Sequence, residues 1–317
     1  MKNKLLAVLA TLSMVASASA VKINNNLSIN GFVDGSYKLT DNNTGADSQT
    51  LSADEAEINF VLTNGAVSGL IAIDSHEIGG GSNGANKADL DIEQAHFTYD
   101  LGNGISFTFG RYGSALGFER EDPAGLYTFS RAYASANIGD VDSNAVEGVT
   151  VAYAADQFSI AASFENPRGA DLESNDLDLE LSFSYNGIAD TVIGGGYFFD
   201  NEEDAGKEED ILNIHASRSF GKFLVAAEYT EFSTDSADRD AFLVLVDYDF
   251  NDKLGVAVRF SDEEDAKISG ATADYDKFTI APNYAITENL GAILEFSDIE
   301  HGNSDSTEVA VELTYTF

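Results

Sequence analysis

The chain has 317 residues, no cysteine, and a formal net charge of −37 at pH 7. Such acidity repels nucleic acid, so no nucleic-acid partner is expected. Without cysteine, neither disulfides nor thiolate metal sites can form, and because 44% of the residues are hydrophobic, a disordered acidic chain is also disfavoured.

The N-terminus reads as a targeting segment. Lys2 and Lys4 precede an apolar run from Leu5 to Val15, and Ala18 to Ala20 supply small residues for cleavage. This pattern predicts a secretory signal peptide over residues 1–20 and a mature domain over 21–317. No later stretch has the roughly 20 consecutive apolar residues that a spanning helix needs. The exported chain should therefore be either soluble or a β-barrel.

From Leu27 onward, apolar and polar residues alternate with the period of a β-strand. The pattern predicts sixteen strands: 27–39, 51–63, one ending at 76, 90–101, 104–109, 145–154, 157–165, 177–186, 190–199, 210–220, 223–232, 240–250, 253–261, 275–285, 289–297 and 307–317.

The connections between these strands alternate in length. Tight turns such as that at Asn64 and Gly65 alternate with longer segments such as Asp200 to Asp210 and Asp262 to Asp265. Short turns on one side and long loops on the other are typical of outer-membrane barrels, which have an even strand number. In hydrocarbon a sheet must close, because unpaired backbone groups are costly there. The prediction is a closed antiparallel transmembrane β-barrel, most readily of 16 strands, with 14 or 18 as alternatives; a soluble sandwich would alternate too, but would lack this loop asymmetry.

Two positions depart from regular pairing. The alternation shifts by one residue near Glu93 and Gln94, which predicts a β-bulge. Pro282 falls inside a predicted strand, where it cannot donate a hydrogen bond, so it is expected near a rim where pairing ends.

Alternation also predicts which side chains face outward. One face of the later strands is apolar: Leu177, Leu179, Leu181, Phe183, Tyr185, Phe242, Val244, Val246, Tyr248, Phe250, Leu254, Val256, Val258 and Phe260. The opposite face, with Asp178, Glu180, Asp247 and Arg259 among its members, should line a water-filled interior.

Two stretches carry a resemblance to a known family. The last strand, EVAVELTYTF, ends on Phe317, like the final strand of Gram-negative outer-membrane barrels. The segment FGRYGSALGFEREDPAGLYTFSRAY, residues 109–133, is similar to the stretch after the fifth strand in β-barrel porins of the OmpL-like type. The motif covers about 25 residues, whereas the architectural resemblance covers the mature chain.

This resemblance implies an outer-membrane channel for passive diffusion of small hydrophilic solutes. It also implies a homotrimer, surrounded by outer-membrane lipid and lipopolysaccharide, with no cofactor. A long third outer loop, Gly113 to Asn144, would fold into the lumen as a constriction. Its charged residues would be Glu119, Arg120, Glu121 and Asp122, flanked by Arg111 and Arg131. Arg111, Arg120 and Arg131 would then give the constriction a positive side; alternatively, the charge run is a solvated outward loop.

The predicted inner face is richer in acids than in bases. The predicted pore-lining acids are Asp34, Glu55, Glu57, Asp178, Glu180, Glu228, Asp247, Asp249, Glu295 and Glu312. The inward bases are Lys38, Arg259 and Lys277, with His215 as a further candidate. Since acidic rings favour cations, the pore should be modestly cation-selective. Alternatively, the acids only keep the lumen hydrated.

The sequence also bears on three other functions. The four histidines are scattered and no catalytic motif is present, so an enzyme is not expected. A non-conducting structural or adhesin barrel is the alternative to a channel. Acidic outer loops could bridge divalent cations to lipopolysaccharide phosphates, since such cations prefer hard oxygen ligands, but plain solvation of those loops explains their charge as well.

Overall fold

A computed structural model of the chain describes residues 20–43, 45–76, 90–119, 122–134, 145–168, 177–201, 209–234, 238–268 and 271–317. The predicted signal peptide, apart from Ala20, lies outside these residues. So does most of the predicted loop from Asp200 to Asp210.

Seventeen strands lie within the described residues. They are β1 (Val21–Lys22), β2 (Leu27–Asn42), β3 (Ser48–Asn64), β4 (Val67–His76), β5 (Asp91–Gly102), β6 (Ile105–Gly113), β7 (Ala145–Ala154), β8 (Phe158–Glu165), β9 (Asp178–Tyr185), β10 (Thr191–Phe199), β11 (Glu209–Phe220), β12 (Phe223–Thr234), β13 (Asp238–Asn251), β14 (Leu254–Ile268), β15 (Ala271–Ala285), β16 (Leu290–His301) and β17 (Ser304–Thr316). A 3-10 helix, Pro123–Gly125, interrupts the connection after β6. Among the described residues, no helix has both the length and the apolar character needed to cross a membrane.

Sixteen of these strands, β2 to β17, form one closed antiparallel sheet in the described part of the chain. Each strand pairs with the next along the sequence, and β17 returns to pair with β2, where Val311 lies opposite Tyr37. Phe317 extends this seam, because its backbone N–H and C=O each form a 3.0 Å hydrogen bond with Gly31. The two-residue β1 adds to the start of β2. The predicted 16-stranded barrel is confirmed, and the soluble sandwich is excluded because the sheet has no free edge.

The predicted strand ends agree best with the observed ones at the end of the barrel that carries the tight turns. At the other end several strands continue beyond their predicted limits. Asp262 and Glu263, predicted as loop, lie in β14 opposite Asp276 and Tyr275. That prediction was wrong because polar residues can also extend a ladder: each backbone N–H and C=O that stays paired avoids the cost of an unsatisfied group.

The two faces of the barrel differ as predicted. The outward-facing aromatic side chains are exposed, with Phe183 at 40% and Phe296 at 47%. Polar and charged side chains of opposite parity are buried, among them Glu180, Arg259 and Thr279. The apolar side chains therefore cover the outside of the barrel, and the charged side chains named above lie inside.

Both predicted irregularities are present. Between β4 and β5 the register passes from Ala72 opposite Gln94 to Ile73 opposite Ile92, so Glu93 has no partner across the ladder. This bulge leaves Glu93 and Gln94 both buried on the inner side. Pro282 pairs with Val256 on β14, but the ladder with β16 is interrupted there, between Ile280 and Asn283.

Gly31 stands where β2 passes closest to β3. A Cβ atom at this position would lie 2.1 Å from the carbonyl oxygen of Glu57 and 2.9 Å from the ring of Phe317. At Gly35 the corresponding distance to the carbonyl oxygen of Ser52 is 2.8 Å. These glycines therefore allow close backbone approach within the barrel.

This close approach predicts a cost for even the smallest side chain. Gly31→Ala should lower the free energy of unfolding by about 1–3 kcal/mol, because the added methyl group overpacks the seam. Gly291→Ala is a matched control, since a Cβ there meets nothing within 4 Å, and it should change stability by less than about 0.5 kcal/mol. Urea unfolding of the refolded barrel, followed by its electrophoretic mobility shift, measures both variants. Equal stability of the two would contradict the packing explanation.

Candidate functional site

The connection after β6 lies against the inner face of the barrel wherever it is described. Residues 114–119 and 122–134 contact side chains of inward parity on strands from β9 to β16. These wall side chains are Glu180, Asn213, Glu228, Arg259, Ser261, Glu263, Lys277 and Glu295. The site is thus made of one loop and the wall that receives it.

The first half of the loop donates its backbone amides to wall side chains. The Ala115 N–H donates to Glu180 Oε1 at 3.0 Å, and the Gly117 N–H donates to Asn213 Oδ1 at 3.2 Å. The Phe118 N–H donates to Glu228. Each carboxylate therefore replaces the strand partner that an irregular, buried backbone lacks.

The second half is held in the same way. The Ser130 N–H donates to Glu295 Oε2 at 3.0 Å, and the Ala134 N–H donates to Glu263 Oε2 at 2.8 Å. In return, the Ser261 hydroxyl donates to the carbonyl oxygen of Ala132 at 2.6 Å. Both ends of the described loop are thus fixed to the wall by hydrogen bonds.

Arg259 is the most connected wall residue and has no exposed surface. Its guanidinium pairs with the Glu119 carboxylate and donates to Thr128 Oγ1 and to the Arg131 carbonyl oxygen, both at 2.8 Å. Lys277 Nζ donates to the same carbonyl oxygen at 3.3 Å. Arg259 and Lys277, predicted as pore-lining bases, therefore bind loop acceptors.

An apolar cluster supports these polar contacts. The loop contributes Leu116, Ala132 and Tyr133, and the wall contributes Phe198, Ile211, Ala226, Phe232, Ala241, Leu243 and Leu245. Burial raises the pKa of Tyr133, and the nearby Glu228 and Glu119 raise it further. The Tyr133 hydroxyl thus stays protonated and donates to Glu228 Oε1 at 3.3 Å.

This cluster and two arginines were not predicted from the sequence. Leu243 and Leu245 belong to the unbroken apolar run from Ala241 to Val246, and such a run indicates a strand buried on both faces. Arg168 binds Glu165 and Glu180, each at 2.7 Å, with its Cζ atom 4.0 Å from the centre of the Phe198 ring. Arg239 lies 3.5 Å from Glu263. No local pattern marks these two arginines.

The remaining residues predicted for the constriction lie in different places. Arg111 stays in the β6 ladder opposite Ala95 and Glu147, with Nη1 3.4 Å from Glu147 Oε1, and does not join the contacts between loop and wall. Its prediction as a constriction residue was wrong, because β6 continues to Gly113 and Arg111 shares the outward parity of Phe109. Arg120 and Glu121 lie outside the described residues. Arg131 is half-buried, and Asp122 lies near Glu55 and Glu57.

The other predicted pore-lining residues keep the predicted inner face. Lys38 Nζ is 3.5 Å from Glu308 Oε1. Asp178 is buried and accepts the Asn201 N–H at 2.9 Å. Asp247 is half-buried on β13.

A different stretch of the inner wall, from β5 to β9, is lined by hydroxyl groups. Thr98 and Thr108 share a hydrogen bond of 2.8 Å, as do Thr150 and Ser163. A cavity beside them is lined by Ser159, Ser182 and Ser184 among others. This side of the interior is therefore rich in hydroxyl groups, with Glu180 also at the cavity.

Comparisons with known proteins agree with this architecture. A family model described as Gram-negative porin matches residues 5–305. A search of curated proteins gives no significant match.

Solved structures share the fold at low sequence identity. Salmonella typhi OmpF in complex with daunomycin aligns with a TM-score of 0.68 and 13% identity over 94% of this chain and 100% of that one. The outer membrane channel DcaP of Acinetobacter baumannii aligns with a TM-score of 0.66 and 13% identity over 94% of this chain and 100% of that one. The anion-selective porin from Comamonas acidovorans aligns with a TM-score of 0.64 and 12% identity over 92% of this chain and 99% of that one.

The buried Arg259 predicts a large loss when its charge is removed. Arg259→Met leaves Glu119 without its partner, so the free energy of unfolding should fall by about 3–5 kcal/mol. Lys38→Met is the control on the same inner face: its pair with Glu308 is partly exposed, and its loss should cost less than about 1 kcal/mol.

The same urea titration measures both variants. The double variant Glu119→Gln with Arg259→Met should recover part of the loss, since the unpaired carboxylate is then absent. Equal effects of the two single variants would show that Arg259 does not hold the loop.

Proposed function

The chain belongs to the Gram-negative porin family, and from this we propose that its channel is modestly cation-selective and constricted by the loop after β6. Family and fold make the protein a transmembrane β-barrel channel of the outer membrane, through which small hydrophilic solutes diffuse passively. The finer proposal depends on one observation, the excess of carboxylates over bases on the inner face.

The sign of the net charge on the inner face supports a preference for cations. Glu180, Glu228, Glu263 and Glu295 accept N–H donors from the loop. Among the described residues, the buried carboxylates of the inner face outnumber the buried bases. Arg168, Arg239 and Arg259 are each paired with at least one acid. The net field therefore stays negative, and such a field favours cations.

The loop after β6 is the proposed constriction over Gly113 to Asn144. Its described residues occupy the inner side of the barrel from β9 to β16, and so would leave the hydroxyl-lined wall from β5 to β9 as the path for solutes. Neutral hydroxyl groups suit small hydrophilic solutes without a charge requirement. The local charge of the constriction would be set by the loop residues Glu119, Arg120, Glu121, Asp122 and Arg131.

The assembly and surroundings are proposed by family alone. The mature chain would begin at Val21, after the signal peptide, and would form a homotrimer in contact with outer-membrane lipid and lipopolysaccharide. No catalytic role is proposed, because porins act as channels. A non-conducting structural barrel is the second candidate, favoured by the apolar cluster that fills part of the interior.

Selectivity can be measured with purified protein in planar bilayers. Under a KCl gradient near 0.1 M, where the Debye length is about 10 Å, the reversal potential should have the sign of a cation-selective pore. Near 1 M salt, where the length is about 3 Å, the preference should fade. Anion preference at low salt would contradict the proposal, and the absence of any conductance would favour the structural barrel.

The constriction has its own test in single-channel conductance. Deleting Gly117 to Gly125 should raise the conductance, because it removes loop volume while leaving β6 and β7 connected. Deleting Gly45 to Asp47 in the connection between β2 and β3 is the control and should leave conductance unchanged. A deletion at 117–125 without effect would show that the loop does not limit flow.

A further inference from the structure

One group of carboxylates on the inner side lies where the loop approaches β3. It joins Glu55 and Glu57 on β3 with Asp122, the residue that begins the 3-10 helix of the loop. One carboxylate oxygen from each of the three lies within 4.8 Å of the other two. Glu55 and Glu57 are buried, and Asp122 is half-buried. Two segments far apart in the sequence thus converge on one small volume.

Glu93 adds a fourth acid because of the bulge in β5. With no partner across the ladder, Glu93 turns toward the inside and is only 4% exposed. Glu57 on β3 and Glu93 on β5 both face the interior, and β4 lies between these two strands. A regular strand would have placed Glu93 on the outer face, so the irregularity supplies this acid.

Two oxygens in this group point to a missing partner. The Oε2 atoms of Glu57 and Glu93 are enclosed, and neither accepts a hydrogen bond within the described part of the chain. Glu57 is 2% exposed, and its other oxygen accepts a hydrogen bond from the Asn59 side chain. Neither Glu57 nor Glu93 forms an ion pair with another described residue. Elsewhere on the wall, Glu180, Glu228, Glu263 and Glu295 each receive a loop N–H.

Clustered carboxylates of this kind require a positive charge or a shared proton. Like charges within a few ångströms disfavour ionisation, and burial removes the water that would screen them. A bound cation would offset the repulsion between the carboxylates and would give the two open oxygens a partner. The donors are all carboxylate oxygens, which suit hard cations rather than the metals that prefer nitrogen or sulfur ligands.

We propose that Glu55, Glu57 and Asp122 bind one Ca²⁺ ion, which ties the loop to β3, with Glu93 as an additional buried acid beside the site. Calcium fits because it accepts about 6–8 oxygens in irregular arrangements, whereas Mg²⁺ requires a near-ideal octahedron and retains its waters. Carboxylates from one strand and a loop form an irregular donor set. The ion links the loop to the wall on the side opposite its hydrogen bonds to β9–β16.

Calorimetric titration of the mature protein tests this site. Protein purified in detergent and stripped with a chelator is titrated with CaCl₂ alone. One ion should bind per chain, with a Kd of about 10⁻⁵ M or tighter. Glu57→Gln and Asp122→Asn should each weaken binding by about tenfold or more, since each removes a charged ligand.

Asp298→Asn is the matched control, because it removes one carboxylate from the exposed face of β16. It should bind calcium as tightly as the unaltered chain. Asp122 lies outside the strands, so its variant keeps the test decisive even where Glu57→Gln prevents barrel assembly. The electrophoretic mobility shift identifies assembled protein.

Two results would overturn the site. Either the unaltered chain shows no saturable binding, in which case the acids share protons, or Asp122→Asn binds as tightly as the unaltered chain. Conductance of the same preparations separates the two proposals. A channel that conducts but binds no calcium removes the metal site alone, whereas a silent barrel that binds calcium removes the channel proposal alone.

Discussion

The structure depends on satisfying the backbone of an irregular loop inside a barrel. A loop that leaves the sheet loses the ladder that pairs every N–H and C=O, and in a confined interior water cannot replace all of those partners. Here the wall provides them. Glutamates from four strands accept loop amides, while Arg259 and Lys277 donate to a loop carbonyl. The charged residues of the inner face are therefore structural ligands of the loop as well as surfaces facing solute.

This double role changes how charges in such an interior are interpreted. An acid that faces inward need not be exposed to passing ions, since the glutamates that bind the loop are themselves buried. The field that a solute meets is the sum over these held charges, whose positions are fixed by hydrogen bonds.

Much of this architecture could be predicted because transmembrane strands impose a simple pattern. Alternation gave the strand order, the closed sheet, the outward aromatic residues and the bulge at Glu93, each of which depends only on neighbouring residues. The strand ends near Asp262 were mispredicted because polar residues occur in both loops and extended ladders.

The partners of the inner acids could not be predicted from the sequence. Their identity depends on the path of the loop, which is set by contacts between residues far apart in the chain. Arg111 shows the limit: its place beside the loop motif predicted a role in the constriction, whereas the continuing ladder of β6 keeps it paired with Glu147. The apolar run from Ala241 to Val246 was visible, but its meaning required knowing that Leu116 and Tyr133 cover it.

The sequence separation of the loop contacts also bears on the order of assembly. Ala115 binds a residue 65 positions later, and Ser130 binds one 165 positions later, on the penultimate strand. If strands are added in chain order, the loop exists before most of its docking surface does. The interior would then be widest in the incomplete barrel and would narrow only as the last strands close against β2. Constriction and closure would thus be completed together, which makes the narrow interior a property of the finished barrel only.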